Sequence, residues 1–516
     1  MIACGDLKSV IATMNGIPAA FSGTTTCVIN AQDGALVAQS LLLLLCAMTL
    51  SPAIGAGIMM HLWYSARLTP PMLAIISERL RPLVAAGAES GKSTKDELVT
   101  KTFSFGSSQI CVRLGKHQWA SILRLFEFEH GVAQTEAERE RATANVDQFE
   151  RHLFNLPPSR RLSTQRMRAT GVLLPFGTPL DEFTCPNPTL FDADTATWLP
   201  PDYLDPMNGW PLKDVIKPRG YNVPTEDIYG HLYFYIREQL ETFCEKLSNT
   251  MVDFHFYSQD LPDLPRVLKE TLHPFSTSSF DRIDASTIAD TIGVEATLLA
   301  LGPLLKSPEQ NPHAVLLTQH LTATDEALAV VSASSPEIKN QEFEAVSKFF
   351  NPETLAYQIT SSDGWSDQLV LKVYQQMVDA QEIVRNNDDF FDFWLNSMLD
   401  FDKVCVAAGM DMCEANTVVE AWPTRMKKQH GEEGAQEEFD LILQSTSKGK
   451  ERVVEWIRAS PGSAHWRGDP AGAEDEDERA VDVAFAPAQK PGALEREVDD
   501  SDLWPWETAA GAGQAA

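Results

Sequence analysis

Positive charge is scarce in this chain: 42 lysines and arginines stand against 72 aspartates and glutamates, a formal net charge of −30 with a pI near 4.7. An acidic surface repels phosphate backbones and anionic headgroups, which excludes nucleic acid and membrane as general partners. Paired cysteines are lacking as well. The eight present, Cys4, Cys27, Cys46, Cys111, Cys185, Cys244, Cys405 and Cys413, show no CxxC and no zinc-type Cys/His spacing. They read as buried reduced thiols. With no charged leader ahead of a small-residue cleavage site, a cytoplasmic compartment is expected. An unbroken apolar span of about twenty residues is missing too. From Gly34 to Ala66 there is no Asp, Glu, Lys or Arg, and Leu41 to Leu45 is continuous, but Ser51-Pro52 cuts the stretch and Gly55 and Gly57 follow. Two buried helices are expected there. The histidines form no constellation: His61, His231, His255, His313 and His320 stand isolated.

What is present is a folding composition, 44% hydrophobic, 9% aromatic and 22% charged, over 516 residues, more than one ordinary core supports. The chain opens with a short turn, Ala3-Cys4-Gly5-Asp6, and a helix from Leu7 to Met14. A β-branched run, Thr24 to Ile29, then stops at the polar corner Asn30-Ala31-Gln32-Asp33. Strand, glycine turn, helix, strand and polar corner begin a nucleotide-binding α/β half-domain. The expected fold is α/β: a Rossmann-like, class I methyltransferase-like, mostly parallel sheet with a helical insertion, a C-terminal helical region and a disordered acidic tail.

The expected divisions follow composition. Residues 1–90 form the first half of the Rossmann-like domain. Residues 91–170 hold one strand, Phe103 to Leu114, and a charged helical insertion, Trp119 to Phe126 and Thr135 to Leu153. Residues 171–325 supply the second half, with a loop rich in Pro, Asp and aromatics before a helix from Glu226 to Asn249. Its strands are Val252 to Tyr257, Asp281 to Ser286 and His313 to His320, with a helix from Gly293 to Leu305. Residues 326–460 read as helical throughout. Residues 461–516, with the run Glu474 to Glu478 and the pair Asp499-Asp500, cannot bury enough apolar area to offset chain entropy.

Three groups carry candidate chemistry. In a methyltransferase the turn after the first strand approaches the methionine moiety of S-adenosylmethionine and the end of the second strand takes the ribose; the corresponding positions are Gly5 and Asp6, then Asn30 and Asp33. The plainer role for Asp6 is to cap its helix. Asp260, Asp284, Ser286 and Asp290 are expected at strand ends on the carboxyl edge, where capping is again the plainer role. The stretch Ala86-Gly87-Ala88-Glu89-Ser90-Gly91-Lys92-Ser93-Thr94 fits a P-loop with Ala in place of its first Gly. A P-loop leaves a buried strand, whereas Arg79 to Val84 reads as a helix running out, so a surface connector is the favoured reading.

Several of these segments together resemble a family: Cys4-Gly5-Asp6-Leu7, the Asn30 corner with Leu41-Leu42-Leu43, His61-Leu62-Trp63-Tyr64-Ser65-Ala66, Pro188-Thr189-Leu190-Phe191, Asp205-Pro206 with Gly209-Trp210, Asp227-Ile228-Tyr229-Gly230, Phe280-Asp281-Arg282-Ile283 and Leu301 to Leu305. They look like fungal proteins of unknown function that share the amino-terminal domain of dynein axonemal assembly factor three, some of which carry a MYND zinc finger. The resemblance covers most of residues 1 to 325. It implies a methyltransferase-like fold without demonstrated catalysis and, for the animal member, a cytoplasmic role in preassembling dynein. MYND cysteines are missing here. Met1 lies almost against the glycine turn, which implies either a shortened start or a degenerate cofactor site.

The first expectation is therefore a methyltransferase-like protein without efficient catalysis and without a cofactor, acting on protein partners as an assembly or scaffold factor. The alternative is an active S-adenosylmethionine-dependent methyltransferase, with the loop from Asp205 to Trp210 over the acceptor. A weaker alternative is nucleotide binding at residues 86–94 through Gly91, Lys92 and Ser93.

Overall fold

The structure is a computed structural model that describes residues 1–89, 98–127, 142–143, 145–192, 197–198, 205–272, 279–332, 337–350, 367–445 and 449–464. Its main sheet has nine strands: β1 (Ile2–Cys4), β2 (Thr25–Asn30), β3 (Leu98–Phe105), β4 (Ser108–Gly115), β5 (Val252–Tyr257), β6 (Arg282–Asp284), β7 (Val315–His320), β8 (Met410–Met412) and β9 (Arg452–Arg458), in the order β8-β9-β7-β6-β1-β2-β5-β4-β3. The central run from β7 to β4 is parallel. Only the edges reverse: β3 against β4 at one side, β9 against β7 and β8 at the other.

Parallel strands need crossovers, and these cover both faces of the sheet. On one face lie α1 (Lys8–Gly16), α2 (Gly34–Thr49), α3 (Pro52–Tyr64), α4 (Arg81–Ala88), α5 (Lys116–Arg124) and α7 (Ile228–Asn249), while α6 (Pro158–Thr170) packs on α7. On the other lie α8 (Val294–Leu301) and the helix Phe401–Ala408. The strands split accordingly: Ala3, Cys27 and Ile29 enter the first core, Ile2, Cys4 and Val28 the second. This is why β1 and β2 read as apolar runs rather than alternations.

The expected helix pair is formed. Asp33 caps α2 by accepting from the amides of Ala35 and Leu36, and Pro52 opens α3, where its missing N–H costs nothing. Leu41 to Leu45 are all buried because α2 packs against α3 and α7. No described helix is long and apolar enough to cross a membrane.

Two stretches differ from their sequence reading. The strand expected from Phe103 to Leu114 is an antiparallel hairpin, β3 and β4, turned at Gly106, which has φ +62°. A glycine and two serines interrupting a β-rich run mark that turn. The described residues between 326 and 460 are mostly helical, as in Asp367–Val384 and Ala435–Gln444, but they also contain β8 and β9, which extend the sheet beyond β7. Short apolar runs do not distinguish strand from helix by period alone; here the exposed edge of β7 decides. The described residues all fall within one unit. The acidic tail expected at 461–516 lies outside the described residues from 465 onward, as do residues 128–141 of the charged insertion.

Candidate functional site

The chain leaves β1 toward β2 on one side and later returns to β6 on the other. The carboxyl ends of β1 and β6 therefore flank the topological switch point, where open α/β sheets leave a crevice. Gly5 turns the chain at the end of β1 with φ +137°, and its N–H donates to the Asn30 carbonyl at 3.2 Å. A Cβ there would meet nothing within 4 Å, so the backbone conformation, not crowding, requires glycine. Asp6 follows. Its carboxylate accepts from the Lys8 amide at 2.9 Å and lies 3.1 Å from Lys8 Nζ.

Lys8 ties this turn to the aromatic loop. Its Nζ also donates to the Asn208 carbonyl at 3.1 Å and lies 5.9 Å from the centre of the Trp210 ring. Trp210 Nε1 donates to the Tyr64 hydroxyl at 2.9 Å, while the Tyr229 hydroxyl donates to Asp205 at 3.1 Å. Burial, reinforced by the charge of Asp6, holds the Tyr64 hydroxyl well above its usual range. It is neutral throughout the physiological range. The segments 4–6, 61–66, 205–210 and 227–230, dispersed in sequence, are thus joined beside one edge of the sheet.

Asp284 ends β6 and is half-buried. Burial raises its carboxyl above the usual carboxylate range; the Ser286 amide at 2.8 Å and the Ser9 hydroxyl oppose that shift, and the charge of Asp6 adds to it. Ser286 sits at φ +50°, an uncommon left-handed position for a non-glycine residue. The charge of Asp6 thus acts on Asp284 across the switch point. The Cys4 thiol is raised by burial and by the charge of Asp284 and is hence protonated.

The polar corner after β2 is otherwise committed. Asn30 is 1% exposed; its Nδ2 donates to the Gln259 carbonyl and its Oδ1 accepts from the Gln259 amide, both at 3.0 Å. Asp33 is exposed and caps α2. Asp260 is exposed at the end of β5, where its carbonyl accepts from Asp263 and Leu264. Asn30 and Asp33 thus spend their side-chain bonds on Gln259 and α2 rather than on Asp6 or Asp284.

Asp290 belongs elsewhere, and here the reading of the histidines as isolated is corrected. His320, at the carboxyl end of β7, lies 3.2 Å through Nδ1 from Asp290 and 3.0 Å through Nε2 from Thr318 Oγ1. The Asp290 carboxylate can only accept, so His320 donates to it through Nδ1, while Thr318 Oγ1 accepts from Trp456 Nε1 at 2.8 Å. The order hydroxyl, imidazole, carboxylate resembles a nucleophile relay. With Thr318 and His320 at 0% and 1% exposure, however, no substrate reaches it, and it serves as a sealed core network. The signal was the pair of polar residues two apart at a strand end; their partner Trp456 comes from a strand that the sequence reading did not place.

In the P-loop match, Ala86 to Ala88 belong to α4 and Glu89 caps its end; Ser90 to Thr94 lie outside the described residues. Gly87 faces the Trp119 ring with no room for a Cβ, a packing role. All eight cysteines are free, and burial pushes Cys27 up to about 11 and Cys244 and Cys405 up to about 12. Among the described residues no group of three His, Cys, Asp or Glu is placed to hold a metal.

No curated protein and no solved structure matches the chain. Residues 1–68 match a domain of unknown function (DUF4470), a stretch that runs from β1 just past α3 and carries Gly5, Asp6, Lys8, Asn30, Asp33 and Tyr64, so the site is built largely from an uncharacterised domain.

Proposed function

We propose that this is a methyltransferase-like protein that acts through protein contacts, as an assembly or scaffold factor, without efficient methyl transfer. The observation that carries this reading is the state of the β2 corner. A ribose needs an acceptor held at the strand end, yet both ends of the buried Asn30 amide are bonded to Gln259, and Asp33, exposed three residues further on, is turned through Oδ1 to cap α2. The methyltransferase-like part is supported by topology: a central parallel run with its switch at β1, and a reversed β9 inserted before β8, as in class I methyltransferase sheets. The net charge of −30 supports protein rather than nucleic-acid partners. The likeness to fungal proteins sharing a domain with dynein axonemal assembly factor three points the same way, and a cytoplasmic location belongs to this reading.

A second reading, an active S-adenosylmethionine-dependent methyltransferase, is favoured by one observation: the open space above Gly5 at the end of β1. Calorimetric titration of the purified chain with S-adenosylhomocysteine separates the two. The first predicts no binding heat. Saturable heat that disappears in Gly5→Arg establishes the second. ATP or GTP titration against Lys92→Ala does the same for nucleotide binding at residues 86–94, and under the first reading it too gives no heat.

A further inference from the structure

The outer edge of β3 is unusually open. Phe105 and Ser108 flank a two-residue turn, so Phe105, Phe103, Lys101 and Val99 make the hairpin's paired bonds to β4. Leu98, Thr100, Thr102 and Ser104 then point their N–H and C=O groups away from the sheet. β3 ends the strand order, and no described residue bonds to those groups. Thr100, Thr102 and Ser104 are exposed, and Leu98 is 43% exposed. Natural edges are blunted by proline, bulges, short length or charge, lysine above all. This one has eight residues in unbroken register, no proline and Lys101 as its single charge.

We infer that the β3 edge pairs antiparallel with β3 of a second copy of this chain, about a two-fold axis through Thr102. The register follows from the residues. Thr102 then faces Thr102 and Thr100 faces Ser104, and since these are the residues whose backbone groups point outward, on the order of six hydrogen bonds join the copies. Val99 faces Phe105 and Lys101 faces Phe103 on the opposite side of the strand. A shift of two residues would centre the pairing on Lys101 and set two ammonium groups against each other. A shift of one would turn each exposed face toward the other copy's helices. A second copy is favoured over an unrelated peptide because the edge complements itself in both hydrogen bonds and side-chain faces.

An eight-residue edge covers less than the roughly 800 Å² per partner of a standard interface, so the association is weak and concentration-dependent. Each copy carries a net charge of −30, and salt screens that repulsion. The dimer therefore strengthens as ionic strength rises. Sedimentation velocity on the full chain, over a range of protein and salt concentrations, tests this with Thr102→Pro and Thr102→Lys. The Thr102 N–H points outward, so proline removes no bond to β4, while lysine places like charges on the axis. The expected result is a dimer that grows with concentration and salt and is lost in both variants, with unchanged circular dichroism. If Thr102→Pro does not fold, Thr102→Lys decides alone. A monomer under every condition, or a dimer retained in folded Thr102→Lys, overturns the inference.

Discussion

Single residues clamp this fold where distant segments meet. Asn187 is fully buried; its Nδ2 donates to the carbonyls of Leu62 and Ser65 at 2.8 Å and His61 at 3.2 Å, and its Oδ1 accepts from Thr189. It closes the end of α3 from the other side of the loop. Asn187→Ala leaves buried carbonyls without donors, and chemical denaturation should show a loss of about 2–4 kcal/mol. His61 is legible in sequence only as a packed histidine, and burial does lower its pKa, to about 4 from 6.5. Its folded pKa lies below its unfolded one. The neutral folded state is therefore at full strength above about pH 6.5 and loses about 3 kcal/mol as pH falls toward 4, because only the unfolded chain takes up the proton in that window. Urea melts between pH 7 and 4 should show this slope, flattened in His61→Gln. The residues of the switch point were only half legible: Gly5 and Asp6 stand out in the turn, whereas Lys8 and Tyr64 acquire their roles from Trp210 and Asn208, two hundred and about one hundred and fifty positions away.

Elements were legible where their signals are local. β5 falls at Val252–Tyr257 as the alternation predicts, and α2 begins at the Asp33 cap. β9 was not, because its central residue is a glutamate. Glu455 is 0% exposed yet accepts from the amides of Thr417 at 2.8 Å, Val418 at 2.6 Å and Val419 at 3.1 Å and from the Thr417 hydroxyl at 3.0 Å. A charge inside an apolar strand argues against burial until a loop brings donors to it. Glu455→Ala should lose at least about 3 kcal/mol by denaturation, since several buried N–H groups lose their acceptor together. Hydrogen exchange should also quicken at residues 417–419. Unchanged exchange there would mean that the carboxylate does not hold the loop.

At the scale of the molecule, β7 lies between β6 and β9, so the region after residue 325 completes the sheet that the first part begins. Residues 1–325 alone would leave the edge of β7 and the core beside Leu316 and Leu298 uncovered. That fragment should express as an aggregate or a loosely packed state by near-UV circular dichroism, whereas 1–464 should fold. A well-folded 1–325 would show that the C-terminal strands are dispensable. By itself the sequence determined the layered α/β class, the buried helix pair and the turn at Gly5, because composition, capping and backbone conformation act over a few residues. Only the tertiary structure decided which strand ends meet, that Asn30 is bound to Gln259, that His320 has a carboxylate partner, and that β8 and β9 join the sheet. Each of these depends on groups far apart in the chain, brought together by crossovers whose geometry no local pattern records.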